Sequence, residues 1–145
     1  MTLSRYALRA PQSDSEWAEY HRLRRTILFE RRGRFAVYDP THPDEHRADN
    51  HPFLLFIDDM PVGTVRIDIG DDDAVFRLVT IREDLQRLGY GRRMLSLAEG
   101  FVREQRRSRI HSHVNPDAVL FYERCGFVRV GPGEATATIL MRKDL

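Results

Sequence analysis

The chain has 145 residues and a formal net charge of +1, with 41% hydrophobic and 31% charged residues. This length suits a single domain with its own core, and the balanced charge argues against a dedicated nucleic-acid binder, which should carry a basic excess. The one cysteine, Cys125, excludes an internal disulfide and fits a reducing compartment. No stretch approaches the roughly 18 apolar residues of a membrane span, and the N-terminus lacks a secretory pattern. We therefore expect a cytoplasmic protein.

The first half of the chain predicts one long helix among four strands. Ser13 or Ser15 can cap a helix over 13–33, in which Trp17 and Tyr20 begin an apolar stripe at helical spacing. Residues 39–52 are rich in histidine and acids, but their spacing matches no metal site, so we predict a mobile polar loop without metal. The predicted strands are 5–10, 53–58, 62–69 and 74–81, the last three forming an antiparallel meander.

The second half predicts two helices and three strands. Met94 opens an apolar stripe that defines a long helix after Gly91, on which Glu99 and Arg103 should form an exposed pair. Strand 109–114 precedes a short helix that Asn115 can cap, and a hairpin with a "GPGE" turn ends the chain. The predicted order of elements is β-α-β-β-β-α-β-α-β-β.

The segment "IREDLQRLGYGRR", residues 81–93, predicts an anion-binding loop. Two glycines lie at the start of a helix, where unpaired amides and the helix dipole favour phosphate. A P-loop requires a lysine after its last glycine, but the only lysine is Lys143. A Rossmann loop requires a third glycine where Met94 stands. The remaining candidate is a loop that binds acetyl-CoA.

These residues resemble the GNAT acyltransferases. The pyrophosphate loop of that family reads Gln/Arg-x-x-Gly-x-Gly/Ala, and residues 86–91 read QRLGYG, with Ile81 five residues earlier. Glu83 replaces a proline that is common in the family. The family's second signature is also matched at its usual separation, by Asn115, Ala118, Tyr122, Gly126 and Phe127.

The resemblance implies an α/β fold: a single GNAT domain over 1–145, with a central mixed, mostly antiparallel sheet flanked by helices. It also implies transfer of an acetyl group from acetyl-CoA to a primary amine, by direct attack in a ternary complex. The acceptor, a small molecule or a peptide, should lie against the first helix and the 30–52 loop. A homodimer is left open, and neither nucleic acid nor a membrane is expected. The alternative is a non-catalytic CoA-binding or regulatory module of the same fold.

The resemblance further implies that the strands 74–81 and 109–114 splay apart and hold the pantetheine arm of CoA between them. The implied CoA-binding residues are Val79, Ile81, Gln86, Arg87, Leu88, Gly89, Tyr90, Gly91, Arg92, Asn115 and Tyr122. Tyr122 is the expected general acid for the leaving thiolate. Residues 74–81 contain no carboxylate, so the base is left among Asp68, His111 and His113, with His113 as the provisional choice. Cys125 is expected to be packed and inert.

Overall fold

The computed structural model describes residues 4–145 and contains one seven-stranded sheet with the spatial order β1-β2-β3-β4-β5-β7-β6. All strand neighbours are antiparallel except β4 and β5, which are parallel. The predicted order of elements and the mixed α/β fold are confirmed. The strands are β1 Tyr6–Arg9, β2 Asn50–Ile57, β3 Met60–Ile69, β4 Ala74–Ile81, β5 Arg109–Val114, β6 Val128–Pro132 and β7 Ile139–Asp144.

Three α-helices cover the sheet: α1 Asp14–Arg24, α2 Tyr90–Glu104 and α3 Val119–Arg124. The N-terminus of α1 is capped by Ser13, whose hydroxyl accepts a hydrogen bond from the amide of Glu16 at 3.2 Å. After α1 the helical path continues as a π turn over Arg25–Phe29 and a 3₁₀ turn over Glu30–Arg32. Gly33, with φ of 77°, ends it. The single helix predicted over 13–33 is therefore one path with three hydrogen-bonding patterns.

The side of the sheet covered by α2 and α3 holds the main core, and we call it the α2 face. Ile67, Phe76 and Ile110 from the sheet pack against Met94 and other buried side chains of α2. The stripe predicted for α2 is confirmed by the burial of Met94, Leu95, Ala98 and Val102. The predicted exposed pair of Glu99 with Arg103 is wrong. Glu99 is buried because its carboxylate pairs with the ammonium of Lys143 on β7, at 2.5 Å.

The opposite side carries α1, and we call it the α1 face. Tyr20 and Leu23 bury their side chains there against Leu54 and Phe56 of β2. Arg24 is also buried, because its guanidinium pairs with the buried carboxylate of Glu45, which in turn accepts a hydrogen bond from the Tyr20 hydroxyl at 2.8 Å.

The segment 39–52 is therefore not a mobile polar loop throughout. It contains a 3₁₀ turn at Pro43–His46 that places Glu45 in the interior, and β2 already begins at Asn50. An ionised side chain is rarely buried without a partner. The Arg24–Glu45 pair accordingly fixes this segment to α1. Among residues 4–145, none of the helices is long and apolar enough to cross a membrane.

Candidate active site

The parallel strands β4 and β5 pair over only three positions and then diverge. The pairs are Ala74 with Ile110, Val75 with His111, and Phe76 with Ser112. Arg77 and His113 are the first residues beyond the last pair, one on each strand. Both side chains lie on the α1 face, because they alternate with Phe76 and Ser112. We call the space between the diverging strands the β4–β5 gap, and it has the form that the resemblance implies.

A β-bulge in β4 bends the strand where the gap opens. Thr64 of β3 lies opposite Thr80 and Arg66 lies opposite Arg77, so Leu78 and Val79 together face the single residue between them on β3. Leu78 has φ of 53°, and its carbonyl accepts a hydrogen bond from the Thr64 hydroxyl at 2.8 Å. A left-handed conformation is costly for a leucine, so the surrounding contacts must hold it in place.

Backbone groups beyond the bulge face the gap. The amide of Arg82 donates to the carbonyl of Val62 at 2.7 Å, so position 82 is hydrogen-bonded to β3. Hydrogen bonding alternates along an antiparallel pair, so Thr80 also bonds to β3 while Ile81 and Val79 direct their backbone groups to the other side. The carbonyl of Ile81 accepts a hydrogen bond from the Gln86 side chain at 2.9 Å.

The turn at residues 86–92, which contains Gly89 and Gly91, lies at the open end of the gap, and we call it the glycine turn. Gly89 has φ of 89° and begins α2 without a side-chain cap, so the first amides of the helix, at Tyr90, Gly91 and Arg92, point outward. Gly91 has a second requirement. A Cβ atom there would lie 3.0 Å from the Phe121 ring of α3, so a side chain at position 91 would require that ring to shift. Leu88, on the same turn, is largely exposed.

Tyr122 lies at the closed end of the gap, on the α2 face. Its side chain is 5% exposed and packs edge-on against Phe121 and Phe127. Burial raises the pKa of its phenol to about 12, and the neighbouring Ser112 hydroxyl offsets part of that rise. Ser112 is the last paired residue of β5, so the Tyr122 hydroxyl is adjacent to the point where the two strands separate. The phenol is therefore protonated at every physiological pH.

Asn115 follows β5 and precedes a 3₁₀ turn at Pro116–Ala118 that leads into α3. The expected cap is not formed, because the Asn115 side chain makes no capping hydrogen bond. Pro116 occupies the first position of the turn, where a proline fits since its missing amide hydrogen is not needed.

On the α1 face, one carboxylate joins the two sides of the gap. Glu134, from the loop between β6 and β7, accepts two hydrogen bonds from the Arg77 guanidinium at 3.0 and 3.2 Å. Its other contacts are with His113. The amide of Glu134 donates to Nδ1 of the imidazole at 3.1 Å, and its Oε1 lies 3.2 Å from Nε2. No sequence pattern predicts this contact, since Glu134 stands in a turn 57 residues from Arg77.

The three candidate bases differ in position. His111 lies beside the paired part of β5, with Nδ1 3.2 Å from the carboxylate of Asp73. Asp68 is bound by the Arg66 guanidinium at 2.7 and 2.9 Å. Only His113 borders the open gap, and burial lowers the pKa of its imidazole. Because Nδ1 of His113 accepts from an amide, the ring proton is on Nε2, and neither nitrogen has a free lone pair in this arrangement.

The 3₁₀ turn at Glu30–Arg32 is tied to the segments that follow both strands of the gap, and we call it the strap. Arg31 pairs with Glu83, just after β4, at 3.1 Å. Arg32 pairs with Asp117, just after β5, at 3.2 Å. The strap therefore belongs to the wall of the site on the α1 face.

Cys125 lies outside the site. Cys125 is half-buried after α3, and burial raises the pKa of its thiol, as expected for an unreactive cysteine. Within residues 4–145, no three His, Cys, Asp or Glu side chains come together in a way that could hold a metal ion.

Comparison with solved structures finds the same fold over nearly the whole chain. A proposed N-acetyltransferase from Lactobacillus plantarum is 25% identical, with a TM-score of 0.79 and 99% of both chains covered. ElaA from Escherichia coli is 19% identical, with a TM-score of 0.79 over 98% of this chain and 100% of that one. The PaiA N-acetyltransferase from Thermoplasma acidophilum, solved in complex with coenzyme A, is 13% identical, with a TM-score of 0.77 over 97% and 99% of the two chains.

Comparison with protein-family models agrees with the fold and with the two motifs. Residues 14–127 match the model described as the Acetyltransferase (GNAT) family. The matched range is more than half of the chain and extends from α1 to α3. The matched range includes the bulge, the glycine turn and Tyr122. The chain therefore belongs to the acetyltransferase (GNAT) family, whose chemistry is acyl transfer.

Proposed function

We propose that the protein transfers an acetyl group from acetyl-CoA to a primary amine, by direct attack within a ternary complex. The observation that carries this proposal is the β4–β5 gap, which has the glycine turn at its open end and the Tyr122 hydroxyl at its closed end. An extended ligand with a phosphate at one end and a thioester at the other matches both ends.

In this proposal the pantetheine arm pairs with the backbone of Val79 and Ile81 as an added strand. The pyrophosphate lies on the turn formed by Gln86, Arg87, Leu88, Gly89, Tyr90, Gly91 and Arg92, where outward amides and the helix dipole favour an anion. Gln86 contributes indirectly, since its side chain holds the Ile81 carbonyl. Asn115 borders the gap where β5 ends.

The amine nitrogen attacks the thioester carbon, the carbon–sulfur bond breaks, and two protons must move. The leaving thiolate takes a proton from Tyr122, which is protonated because its pKa is about 12. An alkylamine with a pKa near 10.4 is only about one part in a few thousand neutral at pH 7, so it must first lose a proton. His113 is the imidazole nearest to the amine side, and it can act as a base only if the Glu134 amide releases Nδ1, the nitrogen that carries the lone pair.

The test is release of CoA thiol from acetyl-CoA over a panel of amines, followed by mass analysis of the acetylated product. Thiol release that depends on one amine supports the proposal. A matched pair of variants tests the donor site. Gly89→Val should abolish the rise in thermal midpoint that acetyl-CoA causes, whereas Gly100→Ala, at a position in α2 where a Cβ meets open space, should keep it.

A second candidate function is a non-catalytic CoA-binding or regulatory module of the same fold. It is favoured by the absence of a carboxylate on β4 and by the engagement of both His113 nitrogens. A thermal shift with acetyl-CoA, combined with no thiol release over the whole panel, would select this function.

A further inference from the structure

We propose that Glu134 supplies the carboxylate that β4 lacks, and that it receives the proton of the acceptor amine while His113 and Arg77 position it. This inference rests on the proposed acetyl transfer and assigns the proton acceptor within it. Two observations support it: the position of the Glu134 carboxylate at the β4–β5 gap, and the one lone pair on that carboxylate that its contacts leave free.

The position of Glu134 follows from the register of the sheet. Arg77 and His113 are the first residues beyond the last β4–β5 pair, and both side chains lie on the α1 face. Glu134 contacts both of them, so its carboxylate spans the gap just beyond the point where the strands separate. Tyr122 lies at the same point on the α2 face. A thioester held between the strands would thus have an acid on one side and a carboxylate on the other.

The hydrogen bonds of Glu134 leave it able to accept one more proton. A carboxylate has about four lone-pair sites. Oε1 accepts from the Nη2 group of Arg77 and lies 3.2 Å from Nε2 of His113, and Oε2 accepts from the Nη1 group of Arg77. One site on Oε2 remains, and the side chain is 63% exposed. An ammonium group that approaches from the α1 face can donate to this site.

The charges around Glu134 decide its protonation state. Arg77 from β4 and His113 from β5 face it directly, while Asp68 on β3 and His111 on β5 lie behind them. The Arg77 guanidinium lowers the pKa of the Glu134 carboxyl, so Glu134 is ionised at neutral pH. A carboxylate of low pKa is a weak base toward a free ammonium. It becomes adequate as the carbon–nitrogen bond forms, because an amide nitrogen holds its proton far more weakly than an amine.

The proton balance is complete without a further co-reactant. The alkylammonium first loses one proton to water. The lone pair of the neutral nitrogen then forms the carbon–nitrogen bond, and the second proton on nitrogen passes to Oε2 of Glu134. The carbon–sulfur bond breaks, and the thiolate takes the Tyr122 proton. Glu134 then loses its proton to water, since it is exposed, and Tyr122 regains one.

The test compares Glu134→Gln with Glu123→Gln, a control on α3 that is also largely exposed and paired with an arginine. With an alkylamine that the wild-type protein acetylates, we expect Glu134→Gln to lower kcat at pH 7 at least about tenfold, the lower part of the range for base catalysis. The deficit should remain with an acceptor that is neutral at pH 7, because its nitrogen must still lose a proton as the carbon–nitrogen bond forms. His113→Gln should lower kcat less than Glu134→Gln does, because Arg77 still holds the Glu134 carboxylate.

Three outcomes would overturn the inference: full kcat in Glu134→Gln, an equal loss in Glu123→Gln, or a larger loss in His113→Gln with Glu134→Gln unaffected. A wild-type protein that releases no thiol with any amine would instead contradict the proposed function. In that case the imidazole of His113 is followed by NMR while butylamine is added to the CoA-bound protein. A shift of the His113 signals that is lost in Glu134→Gln supports the site, and no shift overturns it.

Discussion

Removal of the Tyr122 hydroxyl separates its proposed chemical role from its packing role. The ring is 5% exposed and contacts Phe121 and Phe127, and phenylalanine at position 122 would keep both contacts. Only the phenolic hydroxyl beside Ser112 is lost, and even a typical hydrogen bond there would contribute only about 1 kcal/mol to stability. We therefore expect Tyr122→Phe to fold and to bind acetyl-CoA within a few fold of the wild-type affinity.

The expected effect on turnover is larger. General acid catalysis is typically worth about a hundredfold or more, and water can replace part of it, so kcat should fall at least about tenfold. With a pKa of about 12, the phenol is about one part in ten thousand ionised at pH 8. The deficit should therefore be constant from pH 6 to 9 when kcat is measured by thiol release.

A control variant guards against a structural explanation. Ser112→Ala removes the hydroxyl beside Tyr122, together with its hydrogen bond to the Phe76 carbonyl, and leaves the Tyr122 hydroxyl in place, so it should keep most of the turnover. A Tyr122→Phe protein with wild-type kcat, or a Ser112→Ala protein with an equal loss, would refute the assignment of Tyr122 as the acid.

Three further predictions concern stability, measured by denaturant unfolding. Arg24→Met or Glu45→Leu alone should lower the free energy of unfolding by about 3–5 kcal/mol, because each leaves a buried charge unpaired. The double variant should lose less than the sum of the two single losses, and additive losses would contradict this. Gly63→Ala should destabilise the protein by about 1–3 kcal/mol, because its Cβ would lie 2.7 Å from the Thr80 carbonyl oxygen. Gly100→Ala places its Cβ in open space within a helix and should stabilise the protein by up to about 1 kcal/mol. Equal effects of the two substitutions would be inconsistent with the packing. A hydrogen bond from Arg9 and another from the Gln12 amide lower the pKa of Glu16 from 4.5 to about 2, so the stabilising contribution of Glu16 is present above pH 4.5 and is lost as the pH falls toward 2. Glu16→Gln should therefore weaken the fall in the free energy of unfolding between pH 4.5 and 2. An unchanged dependence on pH in this variant would count against the prediction.

The sequence predicted the elements well because their signals are local. Periodicity along 94–102 and alternation along 74–81 each depend on neighbouring residues, and both elements were found at the expected positions. The resemblance to the GNAT family added the divergence of β4 from β5, which no local pattern could have predicted.

The features that the sequence did not predict depend on residues far apart in the chain. Glu45 looked like part of a solvated loop, since its partner Arg24 lies 21 residues earlier and only the folded chain brings them together. Glu134 was one letter of a turn, and its role depends on two strands that meet in space. The bulge was missed for a different reason: leucine is not expected at a positive φ, so nothing at position 78 marks it.

The bulge also means that β4 has one residue more than an ordinary strand would need in this sheet. Its eight residues lie opposite seven residues of β3, from Gly63 to Ile69. A chain that lacked Leu78 would match β3 one for one, and Thr80 and Ile81 would keep the partners that they have now. The same core could then form with a straight strand, free to pair with β5 along its length. Seven residues in this strand would satisfy its pairing with β3, and the eighth bends β4 where it parts from β5.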